Sequence, residues 1–214
     1  LDVVSTWTVT DTAGTTTGTY MATGGSSLSL SSFEALSGGS AADTFNVSST
    51  PTASLNGQGG DDAFNFATDA AITGTILGGQ DDDTLSFAAS STDVTVNLTA
   101  INGVGGFDGT TGLATGGFES IDTVAGGAGD DTLEGQASAT GTWTVDTTST
   151  YVSGGETLEF SGIDNLTGSS AADIFNVNVS ATIDIAAGDD ADQFTVADGA
   201  VITGSLNGGA GADD

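Results

Sequence analysis

An eight-residue pattern recurs seven times along this chain and constrains its fold more than any other feature. Glycine stands at the first position, aspartate at the sixth and an apolar residue at the eighth, as in Gly-Gly-Ser-Ala-Ala-Asp-Thr-Phe from Gly38. One copy begins with Ala187 instead of glycine, and the copy from Gly208 stops where the sequence stops. A pattern that returns at a regular period indicates an internal repeat. The sixth-position aspartates are Asp43, Asp62, Asp83, Asp131, Asp173, Asp192 and Asp213.

The spacing of these aspartates defines two periods. Four of the intervals are 19 or 21 residues, whereas the intervals before Asp131 and Asp173 are 48 and 42 residues. We interpret each long interval as about two units, with an insertion and a weak copy at 105–108 in the longer one. The first three aspartates also recur 130 residues later. The chain is therefore predicted to be one continuous domain over 1–214, taken from a longer array, with one superrepeat at about 36–165, the end of the previous one at 1–35 and the start of the next at 166–214.

Short alternating runs lie between the glycine-aspartate turns, for example Thr142-Trp143-Thr144-Val145. Alternation with β-branched and aromatic residues predicts strands. A sandwich or a barrel would also contain short strands, but it would not repeat the same turn chemistry at a constant interval of about 20 residues. A coil that climbs one strand spacing per unit explains the constant interval. The predicted fold is all-β, a parallel β-solenoid (β-helix or β-roll) of about ten coils of ~20 residues, with Phe, Leu, Ile and Val inside.

The charge of the chain has one sign only. It contains 29 acidic residues and no Lys, Arg, His or Cys, so its formal net charge is -29. Self-repulsion opposes compaction, and a bound metal is the natural source of counter-charge. Nucleic acid and anionic lipid would be repelled, and no apolar run is long enough for a transmembrane helix. An acidic disordered linker is the alternative, but ten Phe, two Trp and a single Pro argue against it.

Stacked coils would align the repeated aspartates. Carboxylates one strand spacing apart repel each other by about 3 kcal/mol at an effective dielectric constant near 20. Such a column of charges requires protons or bridging cations. Calcium suits it best, because this ion accepts six to eight oxygen ligands from carboxylates and backbone carbonyls in flexible geometry. Zinc is disfavoured because the chain has no His or Cys.

The copy Gly-Gly-Ala-Gly-Asp-Asp-Thr-Leu from Gly126 resembles the nonapeptide of the repeats-in-toxin (RTX) family, also called haemolysin-type calcium-binding repeats. The resemblance implies calcium between the coils of a parallel β-roll, secretion from a bacterium, and Asp131 as a ligand. This chain departs from the family because its motif comes once per ~20 residues rather than in tandem. The residues predicted to form calcium sites are Asp43, Asp61, Asp62, Asp81, Asp83, Asp130, Asp131, Asp173, Asp190, Asp192, Asp213, Gly57, Gly59, Gly78, Gly126, Gly129 and Gly208.

A second recurring element, beginning at Phe33, Phe118 and Phe160, carries further acidic residues. They could add metal ligands, or they could lie on a solvated strand face, which the usual exposure of acidic side chains favours. The residues concerned are Glu34, Asp122 and Asp164.

Three other classes of function remain as alternatives. A two-carboxylate glycosidase would need acid pairs such as Asp61-Asp62 or Asp189-Asp190, but metal binding explains pairs in repeated turns better. A carbohydrate- or ice-binding module could use exposed aromatic side chains or threonine ranks, although core packing is the favoured role of the aromatics. The aromatic side chains considered for sugar stacking are Trp7, Tyr20, Trp143 and Tyr151. The third alternative is the secretion or folding region of an RTX toxin or enzyme.

The sequence thus favours a structural protein without enzymatic activity. With no His, Lys, Arg or Cys, most nucleophile-base pairs are excluded. We expect a secreted bacterial protein at the cell surface, stabilised by Ca2+ and forming part of a filament, a surface layer or an adhesin stalk. Its expected partners are copies of itself and a cell-surface glycan, with no nucleic acid and no membrane insertion.

Overall fold

The computed structural model describes residues 3–25 and 27–214, and these residues form a parallel β-solenoid. They contain 24 β-strands and no α-helix, so the described residues include no helix able to cross a membrane. The fold class predicted from the repeat is confirmed.

The strands are short, and most hold three to eight residues. Their bounds are β1 Ser5–Thr12, β2 Thr15–Ala22, β3 Ser27–Ser31, β4 Ala35–Ser37, β5 Thr44–Val47, β6 Ser54–Gly59, β7 Ala63–Ala67, β8 Ile76–Gln80, β9 Thr84–Ala89, β10 Thr95–Ile101, β11 Phe107–Thr111, β12 Ala114–Ile121, β13 Thr123–Ala125, β14 Thr132–Glu134, β15 Thr142–Val145, β16 Ser149–Ser153, β17 Glu156–Ser161, β18 Asn165–Thr167, β19 Ile174–Val177, β20 Ala181–Thr182, β21 Asp184–Ala186, β22 Gln193–Val196, β23 Ile202–Thr203 and β24 Leu206–Asn207.

Two long sheets face each other. The first sheet has the order β22-β19-β15-β16-β17-β13-β9-β7-β5-β1-β2-β3, and the second has the order β24-β21-β18-β14-β10-β11-β12-β8-β6-β4. The chain alternates between the sheets, so that β4, β5, β6, β7, β8 and β9 complete three regular coils. Strands β20 and β23 form a separate parallel pair.

The core lies between the two sheets. Alternate side chains of each strand point inward, as in β7, where Phe64 and Phe66 are buried while their neighbours are partly exposed. Parallel pairing places like residues on top of one another, so Trp7, Phe45 and Phe64 stack, with ring centroids 6.0 and 5.0 Å apart. Such a column of aromatic residues buries a large apolar area at each coil.

Three antiparallel meanders interrupt the parallel coils. They are β1-β2-β3, β10-β11-β12 and β15-β16-β17. The last two lie within the two long intervals between aspartates. The interpretation of each long interval as about two units is corrected in this respect: within each interval the chain advances, folds back through three adjacent strands, and then resumes its climb. In a meander, tight turns join neighbouring antiparallel strands, and the backbone groups of these strands hydrogen-bond to each other.

The meanders β1-β2-β3 and β15-β16-β17 have matching registers. Trp7 lies opposite Tyr20, and Tyr20 opposite Leu28; Trp143 lies opposite Tyr151, and Tyr151 opposite Leu158. Their surroundings differ, because Leu158 is fully buried whereas Leu28 is 56% exposed. The ring of Phe107 in β11 packs 5.5 Å from that of Tyr151, which identifies β10-β11-β12 as the layer that covers the second of these meanders.

Tryptophan and tyrosine therefore belong to the interior. Trp143 and Tyr151 are at most 1% exposed, Trp7 is 7% exposed, and Tyr20 packs against the core. The interpretation of these residues as a sugar-stacking surface is wrong, and their alternative role in the core is the observed one.

Candidate functional site: buried aspartate ladders

The repeated aspartates form ladders of hydrogen bonds inside the turns. Both the backbone N–H and the hydroxyl of Ser5 donate to Asp43 Oδ1, each at 2.7 Å. The N–H of Asp43 donates to Asp62 Oδ1 at 2.6 Å, and the N–H of Asp62 donates to Asp83 Oδ1 at 2.9 Å. All three aspartates are at most 2% exposed. Each carboxylate therefore accepts a backbone N–H from the preceding coil, and for Asp62 and Asp83 that N–H belongs to an aspartate.

Two further ladders repeat this arrangement. The N–H of Asp173 donates to Asp192 Oδ1 at 2.7 Å, and the N–H of Asp192 donates to Asp213 Oδ1 at 3.1 Å. This ladder precedes strands of the first sheet, as does the one through Asp43. Asp131 instead precedes β14 of the second sheet, where its Oδ1 accepts the N–H of Val94 at 2.8 Å. The predicted ligand Asp131 thus lies at the turn on the opposite side of the coil.

Asp122 and Asp164 extend the ladders, which corrects the favoured assignment of both to a solvated strand face. The N–H of Asp83 donates to Asp122 Oδ2 at 3.0 Å, and the N–H of Asp131 donates to Asp164 Oδ2 at 3.0 Å. Neither residue lies in a glycine-rich copy of the octapeptide, which is why the motif alone did not identify them. The third residue of that group, Glu34, is exposed.

The second carboxylate oxygen divides the turns into two kinds. In what we call capped turns, the residue at the second position donates its N–H to Oδ2 of the aspartate: Gly39 to Asp43 at 2.8 Å, Gly127 to Asp131 at 2.6 Å and Ser169 to Asp173 at 2.6 Å. In uncapped turns, Oδ2 is buried and has no hydrogen-bond partner among the described residues. The aspartates of the uncapped turns are Asp62, Asp83 and Asp192.

Backbone conformation accounts for the difference between the two kinds. The second position of each uncapped turn has positive φ, with values of 81° at Gln58, 128° at Gly79 and 116° at Gly188. The fourth positions are also left-handed, including Asp81 at 74° and Asp190 at 72°. Asn and Asp tolerate this region better than most side chains. Because the second-position φ reverses, its N–H no longer faces the carboxylate, and Oδ2 remains unpartnered.

In the copies that begin with glycine, two oxygen atoms approach the first-position Cα, whereas the copy of Asp192 has Ala187 there. A Cβ on Gly57 would lie within 3.0 Å of both Asp62 Oδ2 and the carbonyl oxygen of Gly78 in the next coil. The same pair of atoms, a carboxylate oxygen and a carbonyl oxygen from the neighbouring coil, approaches Gly38, Gly78, Gly126 and Gly168. Each of these five turns therefore brings two acceptor oxygens toward one point. In the turns of Asp62 and Asp83 the carboxylate oxygen of this pair has no donor.

Burial changes the acidity of these carboxyls. Desolvation raises the pKa of Asp62 and of Asp83 from 3.8 to about 7, against the opposing effect of the backbone hydrogen bond, and the negative charges of nearby aspartates add to the rise. Desolvation also raises the pKa of Asp122 and of Asp173. The two uncapped aspartates at the centre of the first ladder are thus the groups for which ionisation costs most.

The fifth- and fourth-position aspartates lie outside the ladders. Asp61 accepts the N–H of Asp82 at 3.2 Å, and Asp81 accepts the N–H of Gly60 at 3.0 Å. In the same way Asp130 accepts the side-chain amide of Asn165, and Asp190 accepts the N–H of Ala191. All four are exposed. The predicted site residues therefore separate into a buried set and a surface set, and Asp61 and Asp62 do not share a site.

The remaining predicted glycines have different positions. Gly59 donates its N–H to the carbonyl of Gly39 at 3.2 Å, and the Cα of Gly129 lies against the backbone of Thr92. Gly208 approaches the side chain of Asp213, which is exposed. Gly59 and Gly129 thus serve the close stacking of coils.

The carboxylates do not converge on a preformed metal cluster. Within residues 3–25 and 27–214, no three His, Cys, Asp or Glu side chains are grouped as a metal ion would require. Any cation in an uncapped turn would therefore depend on one carboxylate oxygen per coil together with backbone carbonyls. One acidic cavity of about 360 Å³ on the surface does collect Asp61, Asp82, Asp122 and Glu159 along its wall. Asp82 holds the fifth position of its copy, as Asp61 does, but was not among the predicted site residues, and Glu159 belongs to no copy of the octapeptide.

Comparison with known proteins gives no relative: no family model, no curated protein and no solved structure matches this chain.

Proposed function

We propose that this chain is an extracellular structural repeat protein whose solenoid is stabilised by calcium, as part of a filament, a surface layer or an adhesin stalk. The observation that carries the proposal is the unpartnered Oδ2 atom in each of three buried aspartates, Asp62, Asp83 and Asp192. A buried carboxylate oxygen without a partner is costly. It needs either a proton or a cation, and at neutral pH outside the cell calcium is the abundant hard cation.

The chemistry of the uncapped turns suits calcium better than other metals. The turns of Asp62 and Asp83 each offer one free carboxylate oxygen and a backbone carbonyl from the neighbouring coil near the same point, and calcium accepts both kinds of oxygen in irregular geometry. Magnesium demands a near-octahedral shell and retains its water. The chain has no cationic side chain that could take the place of the metal.

Edge strands favour a role in assembly. The first sheet ends at β3 and β22, and the second ends at β4 and β24. Exposed apolar side chains accompany these edges, namely Met21 and Leu28 on one end and Val196 and Leu206 on the other. Sheet edges are templates for further strands. A second copy of the chain is therefore the proposed partner, and the lack of cationic residues is consistent with a structural rather than a catalytic role.

Substituting asparagine for aspartate tests the calcium proposal turn by turn. In Asp62→Asn and Asp83→Asn the new amide can still accept the ladder N–H, while its NH2 group replaces the unpartnered oxygen. In Asp131→Asn the NH2 group would face the N–H of Gly127, which now donates to Oδ2. We expect calcium to raise the melting temperature of the wild-type protein and of Asp131→Asn. The two uncapped-turn variants should lose most of that increase.

Calorimetric titration of calcium into the chelated proteins provides the matching binding measurement. The proposal predicts fewer bound ions in Asp62→Asn and Asp83→Asn than in wild type, and an unchanged number in Asp131→Asn. Equal stoichiometry in all four proteins, or no binding to wild type, would refute the assignment of calcium to the uncapped turns.

A further inference from the structure

The second sheet carries a cleft that is lined in part by an inserted loop. Its volume is about 530 Å³, within the range of small-molecule sites. Strands β6, β8 and β12 form its floor, and the loop at 102–106 overhangs it. This loop joins β10 to β11 within an inserted meander, and insertions in repeat proteins often form the binding face.

The overhanging loop is held rigidly in place. Asn102 Oδ1 accepts the N–H of Val104 at 2.9 Å and of Gly105 at 3.3 Å, while its Nδ2 donates to Asp108 at 2.6 Å and to Ser120 Oγ at 2.9 Å. Beneath the loop, Ser120 adopts a φ of 55° although it is not glycine. A left-handed backbone at a buried serine costs energy, and such strain is concentrated at functional sites. One amide side chain thus ties the loop to β11 and β12.

The cleft presents polar groups that the fold does not use. In the described part of the chain, the side chains of Asn56, Gln80 and Glu119 make no hydrogen bond, although all three line the cleft. Leu77 and Val104 add apolar surface, and Val104 is 58% exposed at the tip of the loop. The cleft therefore combines amide donors and acceptors, one carboxylate and an apolar wall.

This combination selects the chemical class of ligand. Anionic ligands are disfavoured by the net charge of -29 and by the carboxylate of Glu119. A cationic peptide would be held better by the acidic cavity, which has four carboxylates, than by a cleft that has one. A neutral saccharide presents hydroxyl groups, which pair with amides and carboxylates, and C–H faces, which pack on Val104 and Leu77.

We propose that this cleft binds a neutral saccharide and is the adhesive site of the molecule. The inference rests on the proposed function, since an extracellular protein at a cell surface would encounter such a saccharide. The cleft borders the uncapped turns of Asp62 and Asp83, because Gln58 and Gly79, which hold the second positions of those turns, line it. Sugar binding is read from the NMR signals of the ligand and calcium stabilisation from the melting temperature, so the two proposals can fail independently.

Saturation-transfer NMR of the full chain in calcium buffer, with maltose, cellobiose and N,N′-diacetylchitobiose as probes, tests the proposal. We expect at least one disaccharide to bind. Gln80→Ala should weaken that affinity by about threefold to tenfold, as the loss of one hydrogen bond would. Val104→Asp should also weaken it, by replacing the apolar wall with a charge, and Val201→Asp is the matched control at another exposed valine.

The proposal is overturned if none of the three sugars binds to the folded protein. It is equally overturned if sugar binding survives both cleft substitutions. It is also overturned if trilysine receives saturation from the protein while the sugars do not. Circular dichroism of every variant confirms that the fold is intact, so loss of binding would not reflect unfolding. Failure of the sugar assay with intact calcium stabilisation would remove the adhesive site and leave the structural proposal standing.

Discussion

Buried aspartates in this protein are held chiefly by backbone amides. The sequence places Asp43, Asp62 and Asp83 in one column, and the structure aligns them as the spacing of 19 and 21 residues predicts. The N–H of each preceding aspartate donates to the next carboxylate and offsets the repulsion between the carboxylates. The residue types alone do not reveal this donor. The distinction between capped and uncapped turns was also hidden, because it depends on φ at the second position, where even Gln58 is left-handed.

The raised pKa values of two buried aspartates give the metal-free protein a defined dependence on pH. The pKa of Asp62 and of Asp83 is about 7 in the folded chain and 3.8 ordinarily. Their contribution to stability is therefore fully present below about pH 3.8 and is lost as the pH rises through 7. In EDTA, calorimetry should show a melting temperature that falls between about pH 4.5 and pH 8. The Asp62→Asn/Asp83→Asn double variant should show a smaller fall, and a melting temperature that rises with pH in wild type would contradict this account.

The close approach of oxygens to the first-position glycine predicts a steep cost for a single methyl group. Gly57→Ala places Cβ against Asp62 Oδ2 and the carbonyl of Gly78. Overpacking of this kind destabilises by about 1–3 kcal/mol. Gly112→Ala is the control, because no atom lies within 4 Å of the added carbon and its φ is not left-handed; a change within about 0.5 kcal/mol is expected there. Urea unfolding measures the free energy of unfolding of both variants. Equal values would contradict the prediction, because they would show that the turn accommodates the added methyl group.

At the scale of elements, alternation predicted the strands well but not their direction. The run Thr142-Trp143-Thr144-Val145 is a strand, as its pattern indicates. The pattern is the same whether the next strand returns antiparallel or climbs to the next coil, because inward and outward positions alternate in both. Only the turn decides, and at Gly154 and Gly155, both with positive φ, the chain reverses tightly. The meanders were for this reason mistaken for coils.

The two matching meanders supply an internal comparison of packing energy. Leu158 and Leu28 hold the same register next to Tyr151 and Tyr20, but only Leu158 is covered by the opposite sheet. Leu158→Ala should lower the free energy of unfolding by about 2–5 kcal/mol, as for a buried leucine. In the monomeric protein, Leu28→Ala should change it by less than about 0.5 kcal/mol. Chemical denaturation at a concentration where the protein is monomeric compares the two variants directly, and an equally large loss in Leu28→Ala would contradict the account.

At the scale of the whole molecule, the repeat predicted the solenoid and the charge predicted a need for cations. The cleft beside the loop at 102–106 was not foreseen, because it depends on one inserted loop and on the left-handed backbone of Ser120, which no pattern marks. The assembly proposal also belongs to this scale. In millimolar calcium, sedimentation velocity should reveal species larger than the monomer, and Leu28→Asp at a sheet edge should reduce them. Val104→Asp, which lies away from the sheet edges, should leave the amount of these larger species unchanged. A wild-type protein that sediments only as a monomer would contradict the proposed partner.

The most direct test of the account is far-UV circular dichroism at pH 8, first in EDTA and then during titration with calcium or magnesium. At this pH the buried carboxyls of Asp62 and Asp83 are largely ionised, so the unpartnered oxygens require a cation. The account predicts a gain of strand signal and a higher melting temperature with calcium but not with magnesium. A protein already folded in EDTA, with a melting temperature that calcium does not raise, would contradict it and leave only the solenoid.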